Sequence, residues 1–455
     1  MIKILFIIIA LVFFVEIIRN TGIIRLSWFL TGIIFFPNSI LLMSEPISMP
    51  FQRFLIYALF ISELVRYESF IQAFKGFPIK KILFLLMISH LIIGLFDERL
   101  PLFLKFYRPF YEFVQTFLIV FLGYNSIKSL SDWERIMKLL FISSFVLCLY
   151  GLLNFITKAN PYSILISNAF GEISFFQSYM NKGDRFRVNS FIYHPITYGY
   201  FVSIFLMLFY AFRKNYRNNT FIYTLIMVML LINLFLTNSR TPLLICVVGL
   251  LIYVFFSYNL SSKIKTLLGG GALIVILYLF SSDFQERTDS IADIFITGGK
   301  HTTGSSIEMR ETQLIESYVL FLQNPYFGNG FSYIIEDLGY SSNEEKRESK
   351  RDFYGFESYA YILLIEQGVI QILMVVLFFI FLYIYFVKNK EYTNSYASLG
   401  IAYTTMFLVF SFATGTLGTW TISMTLIGSL IKMIEITKLK VQQLYLIKSL
   451  QLTTD

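Results

Sequence analysis

Arg185, Arg187, Arg240 and Arg310 are the residues of this chain best suited to chemistry, with Glu357 as the carboxylate that could act beside them. Arg185 and Arg187 stand in NKGDRFRVNSFIYHPITYG, just ahead of Ser190, His194 and Pro195, where a polar stretch gives way to an apolar one. Arg240 sits in LTNSRTP, a short turn between two apolar segments, and Arg310 sits in SSIEMRET. A planar guanidinium binds phosphate oxygens in pairs and keeps its charge at any relevant pH, so convergent arginines suit a diphosphate. Taken singly, each could equally snorkel to lipid headgroups.

Glu357 falls in DFYGFESYAYILLIEQG, where polar sequence turns apolar again. A carboxylate there either compensates the positive end of a helix or, between aromatic neighbours, accepts a hydroxyl proton. Glu366 lies deeper in the same run, beside Gln367 and Gly368, and reads first as a residue with a structural partner. His194 is most simply a turn residue before Pro195, and His90 and His301 are far from it in sequence. The chain has no D-x-D pair, no G-x-x-x-x-G-K, no C-x-x-C and no cluster with metal-ligand spacing. Metal-bound nucleotide-sugar and ATP chemistry therefore have no motif behind them, and neither a metal nor a cofactor is expected.

The elements that position these residues must lie in a membrane. A chain of 455 residues that is 56% hydrophobic and 15% charged is not an ordinary soluble protein. Its 51 Phe and 30 Tyr fit lipid-facing surfaces and interfacial belts, although a biased composition would give the same excess. The net charge of +8 fits basic clusters that set orientation better than it fits a nucleic-acid partner. Cys148 and Cys246 both lie in apolar segments, where no disulfide is implied. The first apolar run, 2–18, reads as a retained helix and not a signal peptide. Further spans are expected at 24–43, broken by Pro37, and at 81–96, 110–124, 136–156, 195–212, 221–236, 241–256, 264–280, 369–386, 396–414 and 420–436. The stretch 51–67 holds Arg53, Glu63 and Arg66, so it either faces other helices or lies at the interface.

The fold class expected is an all-α polytopic membrane protein of about 12 transmembrane helices, or about 13 if 51–67 crosses. Lys and Arg recur in alternate connections, which places those connections in the cytoplasm and both large loops on the outer face. All four arginines then share the outer face, where positive-inside statistics would not put them. The organisation is N-terminal helices over 1–156, a first outer loop over 157–193, and central helices over 194–280. A long outer loop, partly helical, follows over 281–356, then a re-entrant segment, C-terminal helices and a cytoplasmic tail over 357–455.

The series RFRVNSFIYHP, LTNSRTPLLICVVGLLIY, RETQLIESYVLFLQNPYFGNGFSYI and ESYAYILLIEQGVIQIL resembles the O-antigen polymerase and ligase family, mainly over 185–386. The resemblance implies metal-independent glycan transfer on the outer side of the inner membrane, from a saccharide linked to undecaprenyl diphosphate. The family's motif arginines fall on Arg187, Arg240 and Arg310, which would hold the diphosphate, with Arg185 assisting. The run Asn324 to Phe331 resembles the family's N-P-x-x-G-x-G element, in which Gly328 and Gly330 serve either a sharp turn or contact with substrate. Ligases of the family usually carry His followed by Asn where this chain has Glu357 and Ser358.

That departure favours a polymerase of O-antigen or capsular repeats, with Glu357 as base. The alternatives are a ligase that moves finished polymer to a lipid or protein acceptor, and a lipid-linked glycan flippase, for which polar midplane residues and an internal repeat are not evident. The partners implied are lipid-linked donor and acceptor oligosaccharides, membrane lipids and a chain-length regulator; nucleic acid is not among them.

Overall fold

The structure is a computed structural model that describes residues 2–43, 48–170, 181–182, 185–192, 194–213, 219–280, 306–338, 358–415 and 418–452, with 285, 288–289, 293 and 356 as isolated positions. The N-terminal helices are α1 (Ile2–Arg19), α2 (Gly22–Phe35), α3 (Phe51–Leu64), α4 (Tyr67–Gly76), α5 (Lys80–Phe96), α6 (Leu102–Phe113), α7 (Ile119–Ser126), α8 (Leu130–Thr157) and α9 (Pro161–Phe170). Then come α10 (Pro195–Ala211), α11 (Thr220–Leu236), α12 (Arg240–Ser257), α13 (Leu260–Phe280), α14 (Ser306–Gln323), α15 (Tyr333–Glu336), α16 (Tyr359–Lys388), α17 (Asn394–Thr414) and α18 (Trp420–Leu452). Two short antiparallel ladders interrupt the expected all-α architecture: Leu41–Met43 with Met49–Pro50, and Asn181–Lys182 with Arg185–Phe186.

The helices are apolar on both sides. α1 buries Phe6, Ala10, Phe13 and Ile17 at helical spacing, yet exposes Ile4, Leu5, Ile8, Leu11, Val12 and Val15. α8 likewise exposes Ile142, Val146, Leu149, Leu153 and Ile156. Outward surfaces of this kind belong in lipid and not in water. α8 starts with a capping box: the Asp132 amide donates to Ser129 Oγ (3.2 Å) and the Ser129 amide to Asp132 Oδ2 (3.0 Å).

Among the described residues four helices, α8, α12, α16 and α17, are long and apolar enough to cross a membrane. The pair α4 and α5, bent by 112°, would make a fifth, and α2, α10 and α11 are apolar but shorter. The chain is thus a helical membrane protein, and the departures from the expected spans have local causes. The run 24–43 stops being helical at Phe35, ahead of Pro37, and ends as a strand. The run 110–124 is split between α6, a π-helical turn over Val114–Leu118, and α7. The stretch 51–67 contributes α3, which is packed into the bundle: Glu63 is buried, pairs with the buried Arg25 of α2, and accepts from Asn125 Nδ2 at 2.7 Å.

The centre of the bundle is α7 against α18 and α10 against its neighbours. A Cβ on Gly428 would lie 1.9 Å from the Val120 carbonyl oxygen, and one on Gly123 would lie 2.4 Å from that of Thr425. Glycine at both places lets the two backbones touch. α10 is buried from Thr197 through Phe209. Tyr200 and Ser423 hydroxyls bond across to α18 at 2.7 Å, which fixes the start of α10 relative to α18.

Candidate functional site

Arg187 is held by a segment that is anchored on both sides by hydrogen bonds. The Val188 amide donates to the Leu236 carbonyl (3.0 Å), and Asn238 Nδ2 donates to that of Phe186 (2.7 Å). Asn160 Nδ2 donates to Asn189 Oδ1 (2.7 Å) and to the Ser190 carbonyl (2.6 Å), while Ser190 Oγ donates to the Leu147 carbonyl (2.7 Å). So fixed, the Arg187 side chain is 9% exposed and donates from Nε to the Thr237 carbonyl (3.2 Å) and from Nη2 to Ser239 Oγ (2.6 Å). Among the described residues no carboxylate pairs with it. Burial pushes its pKa down to about 10, so at neutral pH it remains a cation.

Two helix N-termini meet beside this cation. Pro195 opens α10, and His194 caps it by accepting from the Ile196 amide at Nδ1 (3.2 Å). A Cβ on Gly199 would lie 2.6 Å from Pro242, so the first turns of α10 and α12 are in contact. Ser239 precedes α12 without capping it, because its hydroxyl accepts from Arg187 and donates to the Thr237 carbonyl (3.0 Å). Half-buried Arg240 is the first residue of α12. A buried guanidinium and two helix N-termini give this place a positive potential suited to an anion.

His194 is neutral at this seat: burial first, and then the Arg187 charge, push its pKa from 6.5 down to about 3. The unfolded chain therefore takes up the proton first as pH falls. Stability from this residue is complete above pH 6.5 and is lost as pH drops toward 3. His194→Asn keeps a capping side chain and is expected to flatten that acid limb in thermal unfolding scans across the same window.

A second polar centre forms where α16 breaks. Gly368 adopts φ 66° and ψ −171°, which ends the helical hydrogen bonding of the preceding turn. The Ile365 and Glu366 carbonyls accept instead from the Asn329 (2.8 Å) and Gly330 (3.0 Å) amides. In exchange, the Val369 and Ile370 amides donate to the Pro325 (2.9 Å) and Tyr326 (3.4 Å) carbonyls. The Asn324 carbonyl closes the same turn by accepting from the Gly328 amide (2.9 Å). The N-P-Y-F-G-N-G-F run is thus the piece that satisfies a broken membrane helix. Arg99 and Arg108 both donate to the Phe331 carbonyl (3.2 Å each) and pair with Asp337 and Glu336, tying the α5–α6 connection to this turn.

The Glu366 side chain, 8% exposed, accepts from the Ile334 amide at 3.1 Å and faces a cavity of about 590 Å³. Gln367 lines the same cavity from α16; Arg53, Glu112 and Gln115 line it from the N-terminal helices. Phe356 and Tyr359, close to Glu357 on either side, line it too; Glu357 itself lies outside the described residues, as do the side chains of Arg185 and Arg310. The structure therefore brings Arg187, His194 and the start of α12 together at one place, and Asn324, Gly328, Gly330 and Glu366 at another. The cavity lining includes none of Arg187, His194 or Arg240. The two places are linked through α10 and α18: Ser423, bonded to Tyr200, is in the same helical turn as Thr421 of the lining. Sequence reasoning passed over Thr237, Ser239, Gln52, Glu112 and Gln115. The readable signal was polar side chains within otherwise apolar helices for Gln52, Glu112 and Gln115, and a polar turn between two apolar helices for Thr237 and Ser239.

Fold and site together define a helical membrane protein with an electropositive seat at helix ends and a polar cavity at a broken helix. Residues 225–376 match the model of the family described as O-antigen ligase, and this match supports the O-antigen ligase and polymerase family for the chain. The matched segment is about a third of the chain and contains Arg240, Arg310, Asn324, Gly328, Gly330, Glu357 and Glu366, whereas Arg185, Arg187 and His194 precede it. No curated protein matches the chain.

Proposed function

We propose that the chain is a polysaccharide polymerase that extends O-antigen or capsular repeats on the outer face of the inner membrane. An acceptor repeat's hydroxyl oxygen attacks the anomeric carbon of a saccharide carried on undecaprenyl diphosphate. The bond from that carbon to the diphosphate breaks with its electron pair going to the diphosphate, and the hydroxyl proton passes to Glu357. Arg187 and Arg240, with Arg310 and Arg185, hold the diphosphate and offset the charge it gains on leaving. In this reading the chain crosses the membrane about 12 times, and the loops 157–193 and 281–356 face outward.

The observation that carries the reading is Arg187, a buried cation with no carboxylate partner among the described residues, set at the N-termini of α10 and α12. The family match adds support for glycan transfer in general. Its description as O-antigen ligase favours the second reading, in which finished polymer is moved to a lipid or protein acceptor. Glu357 followed by Ser358 supports polymerisation.

Surface glycan from a deletion strain separates these readings on a gel. A ladder collapsed to one repeat is expected for a polymerase, whereas long chains retained on the carrier would mark a ligase. Absence of any exported repeat would mark a flippase. Stably inserted Glu357→Gln and Arg240→Lys variants are expected to lose polymer; full-length polymer from both would sink the assigned roles.

A further inference from the structure

The cavity beneath the break in α16 has a second wall that the transfer chemistry leaves unused. Its N-terminal side carries Gln52 and Arg53 from α3, Glu112 from α6, and Gln115 and Thr116 from the π-helical turn. All of these precede the segment that matches the family, 225–376. Both helical walls are irregular there, one at the π turn and one at Gly368. Breaks of this kind in membrane helices occur where backbone and side chains line a polar cavity.

The polar groups of this wall are oriented and partly unpaired. Gln52 Nε2 donates to the Ile33 (3.2 Å) and Phe36 (3.3 Å) carbonyls, which fixes the amide so that Oε1 points away from them. Gln52 and Gln367 are each 6% exposed, and among the described residues neither Oε1 has a hydrogen-bond partner. Both side chains belong to the lining of the cavity, with each Oε1 itself enclosed. Glu112 Oε2 accepts from Gln115 Nε2 (2.8 Å), and Gln115 Oε1 accepts from Arg53 Nε (3.4 Å), so the carboxylate is held at the end of an ordered chain. Arg53 itself lies over the Tyr111 ring at 4.4 Å.

The occupant can be narrowed by chemistry. An anion such as free phosphate would find one arginine in the lining, Arg53, whose guanidinium already donates to Gln115 Oε1 (3.4 Å) and to the Ser48 carbonyl (2.7 Å). An acyl chain would match the isoleucines of the lining but offer no hydrogen bond to its many polar side chains. A saccharide fits both characters of the lining: its hydroxyls exchange hydrogen bonds with polar side chains such as Gln52, Glu112, Gln115 and Glu366, and its apolar ring faces meet Ile56, Ile334 and Ile362. About 590 Å³ lies within the usual size of a small-molecule site, roughly 300–1,000 Å³.

We propose that this cavity binds a sugar of the repeat unit, and that its N-terminal wall, Gln52, Arg53, Glu112 and Gln115, determines which sugar is accepted. The assignment rests on the glycan-transfer reading for its substrate class, but its binding step is measured separately. The test uses the full chain in lipid nanodiscs and, as probe, the repeat-unit oligosaccharide cut from the source strain's surface glycan and capped as a methyl glycoside. Binding is read by saturation-transfer NMR, and transfer is read with the lipid-linked repeat as donor.

Wild type is expected to bind the oligosaccharide, and Gln52→Ala and Glu112→Gln to weaken binding at least tenfold. The acceptor KM should rise in proportion while kcat stays within about threefold. Glu112→Gln is isosteric and keeps the measurement decisive if Gln52→Ala fails to insert. No binding by wild type, or unchanged affinity in a folded Glu112→Gln variant, would overturn the proposal. If wild type binds with the expected sensitivity yet transfers nothing from the lipid-linked donor, the cavity assignment stands and the transferase reading falls.

Discussion

Arg187→Met is expected to lower glycan transfer by about 100- to 1,000-fold, the usual effect of removing one preorganised charge-stabilising donor, or about 2.7–4 kcal/mol. The same change is expected to leave the thermal midpoint unchanged or to raise it. Methionine has a similar length and no charge to desolvate, and replacing buried charge by well-packed apolar atoms is often neutral or stabilising. Little else is orphaned: the Thr237 carbonyl still accepts from Ser239 Oγ at 3.0 Å. An arginine serving only to brace the turn at 236–239 would behave oppositely. Its loss would remove two hydrogen bonds worth about 0.5–1.5 kcal/mol each and lower the midpoint, with activity per folded molecule preserved. Arg187→Lys keeps the charge but not the fork and should fall between wild type and methionine. Scanning fluorimetry and lipid-linked donor turnover on the same preparation decide between the two.

Gly328→Ala is the second large effect expected, and it acts on folding. Gly328 has φ 71°, where an alanine costs about 1–2 kcal/mol on conformational grounds. Its Cβ would also lie 2.3 Å from the Gln367 amide nitrogen and from the Glu366 carbonyl carbon. Those are backbone atoms at the break in α16 and cannot rotate aside. The turn would have to withdraw, stranding the Ile365 and Glu366 carbonyls that it satisfies. The expected outcome is a much reduced yield of monodisperse protein in detergent and no transfer activity. Wild-type yield and midpoint would show that the turn does not hold the helix ends together.

What could be read in advance depended on whether a feature leaves a compositional mark. Apolar runs announced a membrane protein because lipid demands them on every outward face, as α1 shows. The break at Gly368 was readable from Gln367 and Gly368, and the end of α2 from Pro37. The π turn at Val114–Leu118 was not, since a shift in hydrogen-bond register alters no residue type. The arginines stood out because the expected topology puts them on the face that basic residues usually avoid. That Arg187 would meet Thr237 and Ser239 was invisible, because it depends on how 186–190 docks on a turn far along the chain. Gln52 and Glu112 looked like ordinary polar residues in mostly apolar helices; only the cavity shows them facing Glu366.

The Arg25–Glu63 pair couples three N-terminal helices electrostatically. α2 emerging alone would present a bare guanidinium to the hydrocarbon, at a cost of about 2.5–3.5 kcal/mol on insertion scales. α3 carries the matching carboxylate, and α7 supplies Ser126 Oγ, which accepts from Arg25 Nη2 at 3.1 Å, and Asn125. The two charges therefore compensate each other only when α2 and α3 are packed together. Because α3 also carries Gln52 and Arg53, the same pair that joins α2, α3 and α7 fixes part of the N-terminal wall of the cavity.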